Sequence, residues 1–477
     1  MHFIQFDYLL IFLPLVLVFY YLFRTSPMAN VVIMGASYYF YGSAGILYTI
    51  PLIFTSVLDF VVGKKIEESE NKRYRFRLLM LSIVANLGLL FFFKYATWAM
   101  QSTNWMMGAL GLTVVIPVVN IPLPPGISFY TFQTMSYTIE IYHRQMRASK
   151  KLVNYMAFVT FWPHLVAGPI MRANNLLGQL DKIRPLISAF ELRFALLLIT
   201  WGLAKKLVLA DNFGYIVDSI DGQVASGNHW PGAGLLYAYA FAGQIYCDFS
   251  AYTTIARGSA KLIGIELVQN FKTPYFSASP SEFWRRWHIS LSTWLRDYLY
   301  ITLGGNRRGK VREYSNLMIT MVLGGLWHGA GILFLAWGAW HGLLLVLYKR
   351  FPIDQILSAK MGYLGKPIAI FTMFNLVCFG WLLFRANTMT VLPLMDTIGM
   401  LFTKGASPEF WMFGRGVVVL GVIVFITDWL GYRHDGEFED LMKNFSFFKT
   451  VATVVICYVA VVQFAKREGA QFIYFQF

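Results

Sequence analysis

The chain has 477 residues, of which 57% are hydrophobic and 17% aromatic, while only 14% are charged. Average soluble domains carry about 25% charged residues, so this composition excludes an ordinary soluble enzyme and describes a polytopic membrane protein. The formal charge of +15 is spread over short loops between apolar segments, which suits anionic headgroups and cytoplasmic loop bias, and no basic domain is present that would bind nucleic acid. Cys247, Cys378 and Cys457 show neither metal-ligand nor disulfide spacing, so no metal is expected and the compartment stays open.

The first apolar segment, residues 8–23, lacks a basic n-region, and Arg24-Thr25-Ser26-Pro27 follows in place of a small-residue cleavage site. A retained helix is expected there. Further segments cover 29–41 and 46–62. A charged loop at 64–77 then carries Lys64, Lys65, Lys72, Arg73, Arg75 and Arg77, which places it in the cytoplasm. Counting back puts the N-terminus outside, in line with a tail before Tyr8 that has no Lys or Arg.

Residues 78–98 form a strong span. Pro117, Pro122, Pro124 and Pro125 break the chain before GISFYTFQTMSYTIEIYHR. Ser128, Thr131, Gln133, Thr134, Ser136 and Thr138 make that segment polar for a membrane helix and suit it to burial in protein near a cavity. FWPHLVAGPIMR, residues 161–172, is too short to span and reads as a re-entrant or interfacial turn, with His164 at headgroup level. Residues 191–209 form a helix ending at Lys205-Lys206. In the long segment 231–265, Asp248 and Arg257 should face the interior and find partners. Later spans fall near 367–384, 391–402, 416–430 and 451–464. The expectation is about eleven crossings with short re-entrant or interfacial helices.

Residues 279–300 open with Ser279 as N-cap, Pro280 at the first helical position and Glu282 completing a capping box. Phe283, Trp287, Leu291, Trp294, Leu295 and Tyr298 recur at helical spacing, interleaved with Arg285, Arg286, Arg296 and Asp297. One amphipathic interfacial helix is predicted, with His288 placed to point inward. LGGNRRGKVR follows, a basic loop that suits phosphate-bearing ligands and ordinary headgroups equally well.

The stretch at 316–347, NLMITMVLGGLWHGAGILFLAWGAWHGLLLVL, contains no Asp, Glu, Lys or Arg. It exceeds the roughly 20 residues of a spanning helix. Gly324, Gly325, Gly329 and Gly331 crowd round His328, and glycine weakens a helix interior. Irregular backbone at membrane depth is tolerated only inside protein or beside a watery cavity. His328 is therefore expected on broken helix facing an internal cavity, and an ionisable group there points to function.

WRRWHISLSTWLRDYLYITLGGNRRG followed by LGGLWHGAG resembles the membrane-bound O-acyltransferase family, in its bacterial alginate O-acetyltransferase-like branch. The likeness covers almost the whole chain, through FFKY at Phe92, PPGISFYTFQTMSY at Pro124, VAGPIMR at Val166, AKKLVLADNF at Ala204, YCDFSAYTTIARG at Tyr246 and FIYFQF at Phe472. Ala251 and Thr254 stand where that branch usually has Gly and Asp, and His164 stands where Gln is commoner, which leaves substrate details open. The resemblance implies an all-α polytopic membrane protein with a single domain over 1–477. It implies a ring of about eleven transmembrane helices, plus re-entrant and interfacial helices, around a central tunnel. It maps the family's membrane histidine onto His328 and its second polar site onto His288.

Acyl transfer from a thioester needs a nucleophile, a base and stabilisation of a developing oxyanion. Neutral His can act as base near physiological pH, and no G-x-S-x-G or Cys/His arrangement offers another nucleophile. His328 is thus assigned as base and His288 as the group positioning donor or acceptor. Arg285, Arg286, Arg307 and Arg308 are assigned to the donor's phosphates, and Trp287, Asp297, Asn306 and Trp327 complete the substrate-binding set. No permanently bound cofactor is expected, and acetyl-CoA is the expected donor. The tail at 469–477, GAQFIYFQF, resembles the aromatic C-terminal motif of a small partner protein in the D-alanyl transfer system. That implies a tail entering the tunnel from outside, with Tyr474 accepting the acetyl group as an aryl ester. Phenolate, with a pKa of about 10, is a better leaving group than a sugar alkoxide. A periplasmic or extracellular esterase-like acetyltransferase would then modify a polysaccharide, all at the bacterial cytoplasmic membrane. D-alanyl-type transfer from a carrier-protein thioester, a transporter and a non-catalytic scaffold are the alternatives.

Overall fold

A computed structural model describes residues 1–113, 115–386, 399, 407–466 and 472. All regular structure among the described residues is helical. The chain packs as two compact units, Met1–Ala195 with Ile255–Val268, and Leu196–Thr254 with Gln269–Phe477. Six helices among the described residues are long and apolar enough to cross a bilayer: Ile46–Glu68, Lys72–Ala109, Ile332–Arg350, Ile353–Ala386, Pro408–Arg433 and Phe447–Phe464.

The first unit contains α1 (Leu13–Phe23), α2 (Met28–Gly42), α3 (Thr49–Glu68), α4 (Lys72–Leu90), α5 (Ala96–Ala109), α6 (Ile127–Tyr142), α7 (Leu152–Thr160) and α8 (Ala173–Leu180). The expected loop at 64–77 is mostly helix. Only 69–71 interrupt it, because the Asn71 side chain accepts from the N–H groups of Arg73 and Tyr74 and restarts the helix at once. Lys65, Lys72, Arg73 and Arg77 are exposed near the helix ends, where long stems can carry their charges to water, while Arg75 is buried and donates to the Tyr142 carbonyl.

Helix α6 is buried at every residue from Ile127 to Thr138 and packs against α3 and α4. A buried polar group is costly unless it is hydrogen-bonded, and the polarity of α6 answers one on α3. The Asp59 carboxylate accepts from Ser82 Oγ at 2.6 Å and from Asn86 Nδ2 at 2.8 Å, both on α4. Thr134 Oγ1 of α6 donates to Asn86 Oδ1 at 2.9 Å, and the Thr138 and Ser82 hydroxyls lie 3.0 Å apart.

Residues 161–171 form a non-helical turn, as their prolines require, but the turn is buried throughout. The Trp162 N–H donates to Ser37 Oγ at 3.1 Å, which pins the turn inside the unit. His164 is 1% exposed, so it is an interior residue and does not face solvent or headgroups.

The second unit contains α9 (Ala189–Ala204), α10 (Asp211–Ala225), α11 (Ala233–Lys261), α12 (Pro280–Arg286), α13 (Ile289–Trp294), α14 (Lys310–His328) and α15 (Ile332–Arg350). It continues with α16 (Ile353–Met361), α17 (Gly365–Ala386), α18 (Pro408–Arg433), α19 (Phe438–Met442) and α20 (Phe447–Phe464). The start of α9 and the end of α11 belong to the first unit. The helix expected to stop at Lys205-Lys206 does not stop. A widened π turn, Lys205–Ala210, carries it into α10. Both lysines are buried against acids: Lys205 lies 2.5 Å from Glu439, and Lys206 lies 2.8 Å from Asp211 and 2.9 Å from Asp248. Asp248 therefore has the interior partner its depth demands. The span expected at 391–402 lies outside the described residues, apart from residue 399.

Candidate active site

The charge-free stretch at 316–347 is not one interrupted span. It is a hairpin in which α14 and α15 turn back on each other across 329–331. The glycines permit backbone contact along the seam. A Cβ on Gly325 would sit 2.1 Å from the Phe334 carbonyl oxygen, and one on Gly338 would sit 2.3 Å from that of Met321. At the turn, a Cβ on Gly329 would sit 1.9 Å from the Phe334 ring. The glycines therefore serve close approach more than helix loosening, and His328 is the last residue of α14.

The segment expected as a single interfacial helix, 279–300, is broken at His288. That residue adopts φ 43°, ψ 54°, the left-handed region, between α12 and α13. Such a conformation costs a non-glycine residue about 1–2 kcal/mol and persists where surrounding bonds impose it. Here Asn270 imposes it. Its carbonyl accepts from the Ile289 N–H at 2.9 Å. Its Oδ1 accepts from the Ser290 N–H at 3.2 Å and from Ser290 Oγ at 2.6 Å. The Lys272 N–H donates to the Arg286 carbonyl at 2.9 Å, closing a short ladder beside the break. Ser279 caps α12 as its position implies. Glu282, however, accepts from the Ala278 N–H at 2.8 Å, one residue before the cap. The apolar side of this segment, with Phe283, Trp287 and Leu291 each at most 1% exposed, is buried in protein.

These two interruptions bring His288 and His328 together. Both are buried, and their ring centroids lie 6.5 Å apart. Trp327 lies 5.0 Å from His328 and 6.0 Å from His288. Trp337 and Phe384 stand edge-on to His328 at 5.1 and 5.3 Å, and Phe249 to His288 at 4.8 Å. Phe472 stacks on Tyr252 at 4.6 Å and lies 6.5 Å from Phe249. An aromatic shell of this kind excludes water, and two imidazoles at this separation can both reach one small reacting group.

A third histidine belongs to the same neighbourhood and escaped the sequence reading. His341 on α15 is fully buried, 4.8 Å from Trp337, which also contacts His328. Neither His341 ring nitrogen has a hydrogen-bond partner among the described residues. The signal was present in Trp340-His341-Gly342, which repeats the Trp327-His328-Gly329 pattern inside one charge-free stretch.

The remaining candidates are scattered. Trp287 packs among Phe271 at 5.0 Å, Phe283 at 5.7 Å and Trp381 at 4.8 Å, directly beside His288 in sequence. Arg286 is engaged by Glu282 at 3.0 Å and by the Lys272 carbonyl at 3.1 Å. Asp297 accepts from Arg296 at 2.7 Å. Arg285, Asn306, Arg307 and Arg308 are exposed. Tyr474 lies outside the described residues. Among the described residues no group of three His, Cys, Asp or Glu is arranged to hold a metal.

Residues 142–352 match the family MBOAT, membrane-bound O-acyltransferase. The probable alginate O-acetylase AlgI of Pseudomonas syringae pv. tomato is 39% identical over 402 residues, covering 83% of this chain and 74% of that protein. The peptidoglycan O-acetyltransferase of Helicobacter pylori is 31% identical over 401 residues, covering 78% of this chain and 73% of that one. The teichoic acid D-alanyltransferase of Streptococcus thermophilus is 28% identical over 335 residues, covering 62% and 79%. The apolar helices and these likenesses agree: the chain belongs to the membrane-bound O-acyltransferase family and is a multi-pass O-acyltransferase.

Proposed function

We propose that this membrane O-acyltransferase moves an acetyl group from a cytoplasmic thioester, acetyl-CoA, towards a polysaccharide hydroxyl outside the bacterial inner membrane. The observation that carries the reading is the pairing of His288 and His328, 6.5 Å apart in an aromatic shell, each at an interruption of its helix. Relatives named for alginate and peptidoglycan acetylation support the acetyl group and a polysaccharide acceptor.

In this mechanism His328 takes the proton of the acceptor hydroxyl as its oxygen attacks the thioester carbonyl. The new C–O bond forms, the C–S bond breaks, and the proton passes to the departing thiolate. General base assistance of this kind is worth about 10²–10⁴-fold. His288 orients the acyl group from the opposite side. The fold is read as one working domain over 1–477, a ring of about eleven helices round a tunnel. Arg285, Arg307 and Arg308, being solvated, are available to donor phosphates. Arg286 is already engaged and would contribute chiefly by holding the His288 break. Trp287 and Trp327 would pack against the reacting groups, while Asp297 and Asn306 would act on the donor side. Tyr474 would be the first such acceptor, its phenol deprotonated by His328, and the aryl ester so formed would pass its acetyl group to a nucleophile of an esterase-like partner outside the membrane, releasing the tyrosine as phenolate to be reprotonated.

The teichoic acid D-alanyltransferase likeness keeps a carrier-protein thioester as the second reading of the donor. The test uses purified full-length protein with radiolabelled acetyl-CoA, and separately with an acyl carrier thioester. His328→Ala should lower transfer by about 10²-fold or more while protein yield holds. Unchanged transfer in that variant would leave a scaffold or transporter as the better account. Turnover of the carrier thioester alone would replace acetyl-CoA as donor. Tyr474→Phe should stop delivery to polymer, and normal delivery would mean direct transfer to the acceptor.

A further inference from the structure

We infer that the first unit carries an anion site of its own, a cleft between the loop joining α6 to α7 and helix α8, built to take a phosphate-bearing headgroup. The cleft has a volume of about 470 Å³, within the range of roughly 300–1,000 Å³ typical of small-ligand sites. Arg147, Lys150, Lys151, Asn154, Asn174 and Asp181 supply its polar lining. The inference does not rest on the acyl-transfer reading of the histidines.

Charge favours an anion. Arg147, Lys150 and Lys151 are exposed, and none forms an ion pair among the described residues. The lining's carboxylate, Asp181, is held by Asn154, whose Nδ2 donates to it at 2.6 Å. Helix α7 starts at Leu152, and its N-cap residue Lys151 makes no side-chain capping bond, so the first-turn N–H groups add a partial positive charge at the same edge. Met146, Ala148 and Leu177 form the apolar part of the lining, beside the three cations.

The loop is held in place before any ligand arrives. The Ala148 N–H donates to Glu67 Oε2 at 3.2 Å, and the Ser149 N–H to the Tyr137 hydroxyl at 3.0 Å. Arg144 donates to the carbonyls of Glu67 at 2.8 Å and Ser69 at 3.1 Å, and pairs with Glu70 at 2.9 Å. This loop therefore shares a membrane side with the basic run at 64–77, which the positive-inside rule assigns to the cytoplasm. Two phosphate sources meet a cytoplasmic cleft: an anionic phospholipid of the inner leaflet, or the nucleotide end of a soluble cofactor.

The test uses full-length protein in detergent, with two probes measured separately: short-chain phosphatidylglycerol and 3′,5′-ADP. Two variants are compared with the wild type. One replaces Arg147, Lys150 and Lys151 with Gln. The other is Gly178→Glu on the cleft wall, where an added Cβ meets nothing within 4 Å, so the new carboxylate is accommodated while opposing an anion. Wild type should bind one probe, and both variants should bind it at least about tenfold more weakly with unchanged melting temperature. The probe that binds identifies the source. Wild type binding neither probe, or Gly178→Glu binding as tightly as wild type, would overturn the site.

Discussion

At His288 the backbone and the imidazole make separate demands, and one substitution separates them. Glycine takes φ 43° without strain, so His288→Gly should keep the break and the Asn270 bonds while deleting the ring. Yield and melting temperature should hold, and acetyl transfer should fall at least about tenfold. Full transfer in that variant would reduce His288 to a backbone role. His328 was legible from its charge-free, glycine-rich surroundings. His341 was equally visible in the letters, but its relevance comes from a shared neighbour, Trp337, which stands 5.1 Å from one histidine and 4.8 Å from the other.

Among the elements, the α14–α15 hairpin makes the sharpest demand on sequence. Gly338 meets the backbone of Met321 and Val322, and a backbone cannot step aside as a flexible side chain can. Gly338→Leu should therefore separate the helices and cost at least about 1–3 kcal/mol, as overpacking does. A lower melting temperature in detergent is the expected readout, and an unchanged one would contradict this contact. The broken segment at 279–300 shows why periodicity misled. Phe283, Trp287 and Leu291 keep their i, i+4 spacing across the break. The Trp287 N–H still reaches the Phe283 carbonyl at 2.7 Å, and the Ser292 N–H reaches that of His288 at 2.9 Å. One left-handed residue redirects the chain without disturbing the spacing of the letters. Lys205-Lys206 misled for another reason. Basic residues near a span usually mark its cytoplasmic end, but these find Glu439, Asp211 and Asp248 inside the unit.

For the whole molecule, topology yields the test. The contacts of Arg144 with residues 67–70 place residues 70 and 150 on one side of the membrane. The native cysteines are all buried, so single-cysteine labelling has a low background. Glu70→Cys and Lys150→Cys should both react with an impermeant maleimide in inside-out vesicles and resist it in intact cells. Labelling of the two from opposite sides would break the assigned topology. By itself the sequence determined the membrane class, most of the apolar helices and the family, and it singled out the two histidines as candidates. Each of these is a local sum over about twenty residues or a short run of letters. Tertiary structure decided where the chain interrupts its helices, which charges are buried, and which aromatic rings enclose the histidines. Those outcomes depend on partners far apart in sequence, such as Lys205 with Glu439 or His328 with Phe384, and no local window contains both members of such a pair.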